Sequence, residues 1–447
     1  MNIYFSGIGG SGLCPLAHLS LDCGYQVCGS DAQISSNTQE LTVRGINITI
    51  GQSMEEIQKT YQKTPFDWII CTSALPQDHP HRVFADQNNI KITKRHELIN
   101  TIVKDKNLKM IAVAGTHGKT TTTGMLVWIF KQLNIPISYL IGTNISYGQS
   151  GEYAQDSKYF VYECDEFDRN MLNFEPYLAI VPSLDYDHPD TYKTEKDYCE
   201  SFIQFFSQCQ SVISWQVVEN YLNIVFEQYN LSFSRMLDGK EIYFLQDNEP
   251  NNQEYFLTTK WITLDGILKR RNGILCVIAI MNFLKDLKLD VDNIFAELNS
   301  FPGTQRRFEK LAPNLYSDYG HHPTEIIATL QMATEYLFQN QKLILVYQPH
   351  QNLRQHDIDI QNGYKNCFLG MDKVYWLPTH LSRENELPIL TPKKLIKLSN
   401  HDTDPIFEAS KMTKKLITTI KNHLKNGDLV LVMGAGSIDD WARENLV

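Results

Sequence analysis

The loop between residues 113 and 120 limits the possible fold more than any other stretch of the chain. Met110-Ile111-Ala112-Val113-Ala114 has the composition of a short apolar strand, and it runs directly into Gly115-Thr116-His117-Gly118-Lys119-Thr120. A strand, a glycine-containing turn and a helix in that order gather backbone N–H groups, a lysine and a hydroxyl around one bound phosphate chain. The loop is a variant of the general G-x-x-x-x-G-K-[ST] pattern, because Val113 stands where that pattern has glycine. Lys119 is placed to reach the transferable phosphate, and Thr120 to hold magnesium. Thr121 to Thr123 continue into the helix, where first-turn amides favour the same anion, although threonines there are also ordinary caps.

Acidic groups follow the next two apolar runs. Glu163-Cys164-Asp165-Glu166-Phe167-Asp168 comes after Tyr159-Phe160-Val161-Tyr162, and Asp185-Tyr186-Asp187-His188-Pro189-Asp190 comes after Leu178-Ala179-Ile180-Val181. Hard carboxylate oxygens suit magnesium, and carboxyl ends of strands are where open α/β sheets bind ligands. His188 is either a further metal ligand or a histidine satisfied by hydrogen bonds. Near the start, Gly7-Ile8-Gly9-Gly10-Ser11-Gly12 also lies between a strand and a helix, and Asp31 ends the following strand. That arrangement suits a diphosphate with a ribose beside it. The ligand would be NAD, making the chain an oxidoreductase, or a UDP-sugar.

A length of 447 residues predicts roughly three domains. We place them at 1–103, 104–301 and 302–447, with the charged stretch Lys104-Asp105-Lys106-Asn107 as a linker and Pro302-Gly303 as the second boundary. The expected fold is α/β throughout: a Rossmann-like first domain, a phosphate-loop central domain and a Rossmann-like third domain. The third domain carries strands at Leu343–Tyr347 and Leu429–Met433, the latter ending in Gly434-Ala435-Gly436. Residues 214–265 show no clear periodicity. A net charge of −10 argues against nucleic acid or an anionic membrane surface as partner. No signal peptide or membrane span is expected. Nine scattered cysteines without a C-x-x-C pair predict reduced thiols and a cytoplasmic protein.

Further motifs join these in a fixed order: Gly29-Ser30-Asp31, Thr72-Ser73-Ala74, Asp187-His188-x-Asp190-Thr191-Tyr192, Gly303-x-x-Arg306-Arg307-Phe308-Glu309, Asp318-Tyr319-Gly320-His321-His322-Pro323-Thr324-Glu325 and Gln348-Pro349-His350. With the glycine loops and Glu163-x-Asp165-Glu166, the set resembles the Mur ligase family over nearly the whole chain. The resemblance implies an ATP- and Mg2+-dependent ligase of peptidoglycan precursor synthesis. It would join L-alanine to the carboxylate of UDP-N-acetylmuramate through an acyl phosphate. Gly9, Gly10, Ser11, Gly12, Asp31 and Ser73 would then hold the UDP-sugar. Gly115 to Thr121, Asn272, Arg307 and Asp318 would hold ATP, and Thr120, Glu163 and His188 would hold Mg2+. Lys119, His188, Arg307 and His322 would act in catalysis, and His322, His350 and Arg354 would receive the amino acid.

The sequence departs from the family at that last site. Gln-Pro-His is followed in the family by Arg-Tyr-Thr-Arg, and here by Gln351-Asn352-Leu353-Arg354, so only the distal arginine remains to grip a carboxylate. The acidic-aromatic loop beyond is replaced by Trp376-Leu377-Pro378-Thr379-His380-Leu381-Ser382-Arg383-Glu384. L-Alanine is the first expectation, with glycine, serine or a peptide open. The rivals are a ligase that reattaches a tripeptide to UDP-N-acetylmuramate, the oxidoreductase, and a nucleotide-binding regulator without turnover.

Overall fold

The apolar runs become the central strands of three sheets in a computed structural model that describes residues 1–72, 75–229, 241–246, 261–360, 363–382, 387–399 and 406–447. The chain divides into two compact units. One comprises Met1–Asp185, Lys196–Thr258 and Gly273–Pro302, and the other Tyr186–Glu195, Thr259–Asn272 and Gly303–Val447.

The first unit holds two sheets. β1 (Asn2–Ser6), β2 (Gln26–Asp31), β3 (Asn47–Ile50), β4 (Trp68–Cys71) and β5 (Lys91–Lys94) lie in the order β3-β2-β1-β4-β5, all parallel. The winding reverses at β1, which places residues 7–12 at the switch point where doubly wound sheets take ligands. The second sheet contains β6 (Lys109–Val113), β7 (Ser138–Leu140), β8 (Gly151–Glu152), β9 (Tyr159–Glu163), β10 (Leu178–Val181), β11 (Ser211–Trp215) and β12 (Glu241–Leu245). Its order is β12-β11-β10-β6-β9-β7-β8, with only β7 and β8 antiparallel. β6 is thus flanked by β10 and β9, so the phosphate loop lies between the two acidic turns.

β1, β4, β10 and β11 are almost wholly buried, as strands covered by helices on both faces must be. The helix Lys119–Gln132 is buried on nearly every side. Trp128 Nε1 on it donates to Glu297 O of the helix Val291–Asn299 at 2.8 Å. The stretch Lys104–Asn107 is not a free linker. Leu98, Ile99 and Ile102 anchor the helix Arg95–Asp105, and Asn107 turns the chain with a positive φ of 52° directly into β6. Residues 211–227, part of which showed no period, form β11 and the helix Gln216–Glu227. The two sheets are joined by close packing, since a Cβ at Gly151 would lie 1.9 Å from Pro15 O.

The second unit carries β13 (Glu309–Ala312), β14 (Leu315–Asp318), β15 (Leu343–Tyr347), β16 (Lys373–Trp376), β17 (Ile406–Ala409) and β18 (Leu429–Met433), in the order β13-β14-β18-β15-β16-β17. Only β13 runs antiparallel to its neighbour. All nine cysteines are buried and free, and no helix among the described residues is long and apolar enough to cross a membrane.

Two buried histidines make the first unit sensitive to acid. His18 and His81 are fully buried, and Ser6 Oγ lies 2.7 Å from His81 Nδ1. Burial, reinforced by Arg44 beside His18 and His79 beside His81, lowers both pKa values to about 4. The unfolded value is about 6.5, so between these limits the unfolded chain binds more protons than the folded one. Stability should therefore be full above pH ~6.5 and fall as pH drops towards ~4, by up to about 3 kcal/mol per histidine. Urea unfolding across this window checks the slope, and replacing both histidines by glutamine should remove most of it.

Candidate active site

The phosphate loop is shaped by what lies behind it. Ala114 N donates to Ile180 O at 3.0 Å and Thr116 N to Ser183 O at 3.2 Å, so the loop is laced to the end of β10. Gly115 has φ 117°, and a Cβ there would meet Ser183 O at 2.4 Å, which only glycine avoids. Thr116 Oγ1 donates to Asp185 O at 2.7 Å, His117 N donates to Ser183 Oγ at 2.9 Å, and His117 Nε2 lies 3.3 Å from Asp185 Oδ2. Gly118, at φ 84°, caps the helix that Lys119 begins.

The acidic turn after β9 holds the two reactive side chains of this loop. Lys119 Nζ lies 2.8 Å from Glu166 Oε2 and donates to Gly115 O at 2.6 Å and Thr116 O at 3.0 Å. Burial works against the ammonium charge, but Glu166, Asp165 and Glu163 outweigh it and hold the lysine above its ordinary pKa. Thr120 Oγ1 donates to Glu163 Oε1 at 2.7 Å, and Gly142 N donates to Glu163 Oε2 at 2.7 Å. Thr121 is buried one residue further into the helix.

At the other loop of this unit, Gly7 N and Ile8 N both donate to Ser30 O, at 2.8 and 2.9 Å. Asp31 Oδ2 accepts from Gly9 N at 2.8 Å, so this acid fixes the glycine loop itself. Gly10, Ser11 and Gly12 lead into the helix Cys14–Asp22, whose N-terminus faces the loop they form. Ser73 lies outside the described residues.

The second unit gathers the remaining expected residues. Asp318, at the end of β14, accepts from Phe308 N at 2.8 Å, Gly320 N at 2.7 Å and Thr329 Oγ1 at 3.2 Å. It braces the turn that presents Arg307, whose guanidinium lies over the Tyr319 ring and 3.6 Å from Glu325. His322 caps the helix Pro323–Glu335. His350 stacks on His380 at 5.7 Å, with Ser382 Oγ 3.1 Å from its Nε2. Burial, then Arg354, pushes the His321 pKa down to about 3, so this imidazole is neutral at physiological pH. Asn272 is buried on the helix Ile267–Phe283. His188 has φ 58°, and its N–H donates to Asp187 Oδ1 at 2.6 Å.

Arg354, expected at the amino-acid end, makes a buried ion pair. Its Nη2 donates to Asp187 Oδ1 at 2.6 Å, with both side chains more than nine-tenths buried. Burial pushes the Asp187 carboxyl up, but Arg354 and then His188, His322 and His321 reverse this and hold it well below the usual range. Gln351, where the family has arginine, takes a φ of 59° and donates its N–H to His380 O at 2.9 Å. Arg383 and Glu384 lie outside the described residues.

Three partners were not assigned from sequence. Glu166 was visible as a third acid after β9, without a sign that it meets Lys119. The second is Asp187, whose arginine is 167 residues away. Arg95 had no local signal at all. It follows β5 and donates from Nη2 to Asp165 Oδ2 at 3.3 Å.

A phosphate loop at the switch point of a parallel sheet, with acids holding its lysine and threonine, defines an α/β enzyme that acts on the phosphates of a nucleotide. Comparison with known proteins narrows the class. Residues 2–107 match the family model for the Mur ligase family, catalytic domain, residues 113–236 that for the Mur ligase middle domain, and residues 306–436 that for the Mur ligase, glutamate ligase domain. A curated relative, UDP-N-acetylmuramate–L-alanine ligase of Clostridium acetobutylicum, is 28% identical over 98% of this chain and 95% of its own length. The crystal structure of UDP-N-acetylmuramate-alanine ligase from Thermotoga maritima is similar with a TM-score of 0.74 at 22% identity, covering 100% of this chain and 98% of that one. A murein peptide ligase from Psychrobacter arcticus gives 0.66 at 22% identity with the same coverage. The chain belongs to the Mur ligase family and is an ATP-dependent ligase.

Two variants test the site. Lys119→Ala should lower ADP formation by at least about 10²–10³-fold, the scale for removing a preorganised charge, while UDP-sugar binding stays nearly intact. Arg354→Met alone should destabilise the second unit by about 3–5 kcal/mol in chemical denaturation, because it strands a buried carboxylate. Adding Asp187→Leu should restore most of that loss.

Proposed function

We propose that the chain joins L-alanine to the carboxylate of UDP-N-acetylmuramate, at the expense of ATP, in the cytoplasm and as a step of peptidoglycan precursor synthesis. The observation that carries the ATP half is the pairing of Lys119 with Glu166 and of Thr120 with Glu163 around one phosphate loop. The substrate half is supported by the name of the curated relative, which aligns over nearly its whole length. In this reading residues 1–103 bind the UDP-sugar through Gly9, Gly10, Ser11, Gly12, Asp31 and Ser73. Residues 104–301 bind ATP, and residues 302–447 supply Arg307, Asp318, His322 and His350.

The chemistry has two stages. An oxygen of the muramyl carboxylate attacks the terminal phosphorus of ATP, the bond to the bridging oxygen breaks, and ADP leaves. The neutral amine of the amino acid then attacks the acyl carbon, inorganic phosphate departs, and the nitrogen gives up a proton. Lys119 is the charge that steadies the transferring group, once it exchanges Glu166 and its own loop carbonyls for phosphate oxygens. Thr120 and Glu163 fit magnesium, because a hydroxyl and a carboxylate 2.7 Å apart are hard oxygen donors in one place. His188 would serve a second ion. Bound there, Mg2+ supplies further neutralisation of phosphate charge.

A panel of free L-alanine, glycine, L-serine and the muramyl tripeptide, each with UDP-N-acetylmuramate, ATP and Mg2+, tests this by phosphate release. L-Alanine should give the highest kcat/KM. Preference for the tripeptide would make the chain a recycling ligase, and release with none of them would overturn the proposed substrate pair.

A further inference from the structure

The acidic turn between β9 and β10 faces two ways. Glu163 and Glu166 hold Thr120 and Lys119, whereas Asp165 and Asp168 meet two successive cations, Arg95 and Lys94, at the end of β5 of the other sheet in the same unit. The turn is held in an unusual shape, since Asp168 and Arg169 take positive φ values of 54° and 53° in succession. Arg169 ties that shape down through Asp197 at 2.6 Å.

The two cations differ in how fully they are used. Lys94 makes a close pair with Asp168 at 2.7 Å while remaining about half exposed. Arg95 is three-quarters withdrawn from solvent, yet among the described residues its side chain makes one hydrogen bond, a long one of 3.3 Å to Asp165. A guanidinium has five N–H donors in a planar fork that matches carboxylate and phosphate oxygens, and with a quarter of its side chain exposed this one can still receive a ligand. The same guanidinium lies against the glycine loop, because a Cβ at Gly12 would come within 2.6 Å of its Nη1. Gly12 thus leaves room for an arginine head between the two loops that the reaction has to connect.

We propose that Arg95 is a substrate-binding residue that takes an anionic oxygen group of the nucleotide sugar, with Asp165 holding it in place before the substrate arrives. This rests on the nucleotide-sugar reading above and adds a residue and a chemistry to it. The group is a phosphate or carboxylate oxygen, and the substrate offers both, in its diphosphate and in the carboxylate that must travel from the glycine loop to Lys119.

Titration calorimetry with UDP, UDP-N-acetylglucosamine and UDP-N-acetylmuramate separates the sources, because only the last carries the carboxylate. Arg95→Ala should weaken UDP-N-acetylmuramate about 10- to 100-fold, the scale of a charge-assisted hydrogen bond, and leave the Kd for ATP within about twofold. An equal loss for all three ligands assigns Arg95 to the diphosphate. Loss confined to UDP-N-acetylmuramate assigns it to the carboxylate. Lys94→Ala should change none of these values. Should Arg95→Ala fail to fold, Arg95→Lys takes its place, with a loss of about tenfold expected because the planar fork is gone. Unchanged affinities in a folded variant, or equal weakening of ATP, would overturn the proposal. No binding of any UDP ligand by the unaltered chain would overturn the nucleotide-sugar reading as well.

Discussion

A lysine and a threonine held by two carboxylates set the character of the first unit. Lys119 can stay charged in a buried position only because Glu166 and its acidic neighbours outweigh the loss of water. That requirement fixes the order of the central sheet, since the acids must come from the strand beside the phosphate loop. β9 lies next to β6 although β7 and β8 intervene in sequence. The crossing brings Glu163 level with Val113, and the loop beyond β6 then opens onto a turn of opposite charge. The ammonium in that loop is balanced by one of the protein's own carboxylates.

The second unit solves a related problem by closing a charge rather than poising one. Asp187 and Arg354 pair in a nearly dry setting, and burial and Arg354 together act against a charge on His321. His321 stays neutral there. The distal arginine of the Gln-Pro-His stretch is paired here with Asp187.

The architecture could be read from the sequence because its strands are covered on both faces and so become continuous apolar runs, as at Leu178–Val181, Leu343–Tyr347 and Leu429–Met433. Glycine loops were legible for a similar reason, since each occupies a fixed place between a strand and a helix. Pairings across the sheets were not. Nothing near Arg95 points to Asp165, and nothing near Arg354 points to Asp187, because the partners are 70 and 167 residues apart in sequence and no local pattern links them. β11 and its helix were missed because Ser211–Trp215 is buried on both faces while carrying serines, which hides the apolar run. Asp31 shows a different limit. Its position in sequence suggested a ribose, while its carboxylate holds the loop that would receive the diphosphate.

The buried thiols have a use that has nothing to do with chemistry at the site. Cys14, Cys23, Cys28 and Cys71 belong to the first sheet and its helices, Cys164, Cys199, Cys209 and Cys276 to the central one, and Cys367 to the third. None is accessible in the folded chain, so an alkylating reagent can reach each only when its surroundings open. The rate at which each sulfur is capped, followed residue by residue, is a clock for local opening. Every sheet carries at least one such clock without any engineered label, so the opening of each can be timed separately.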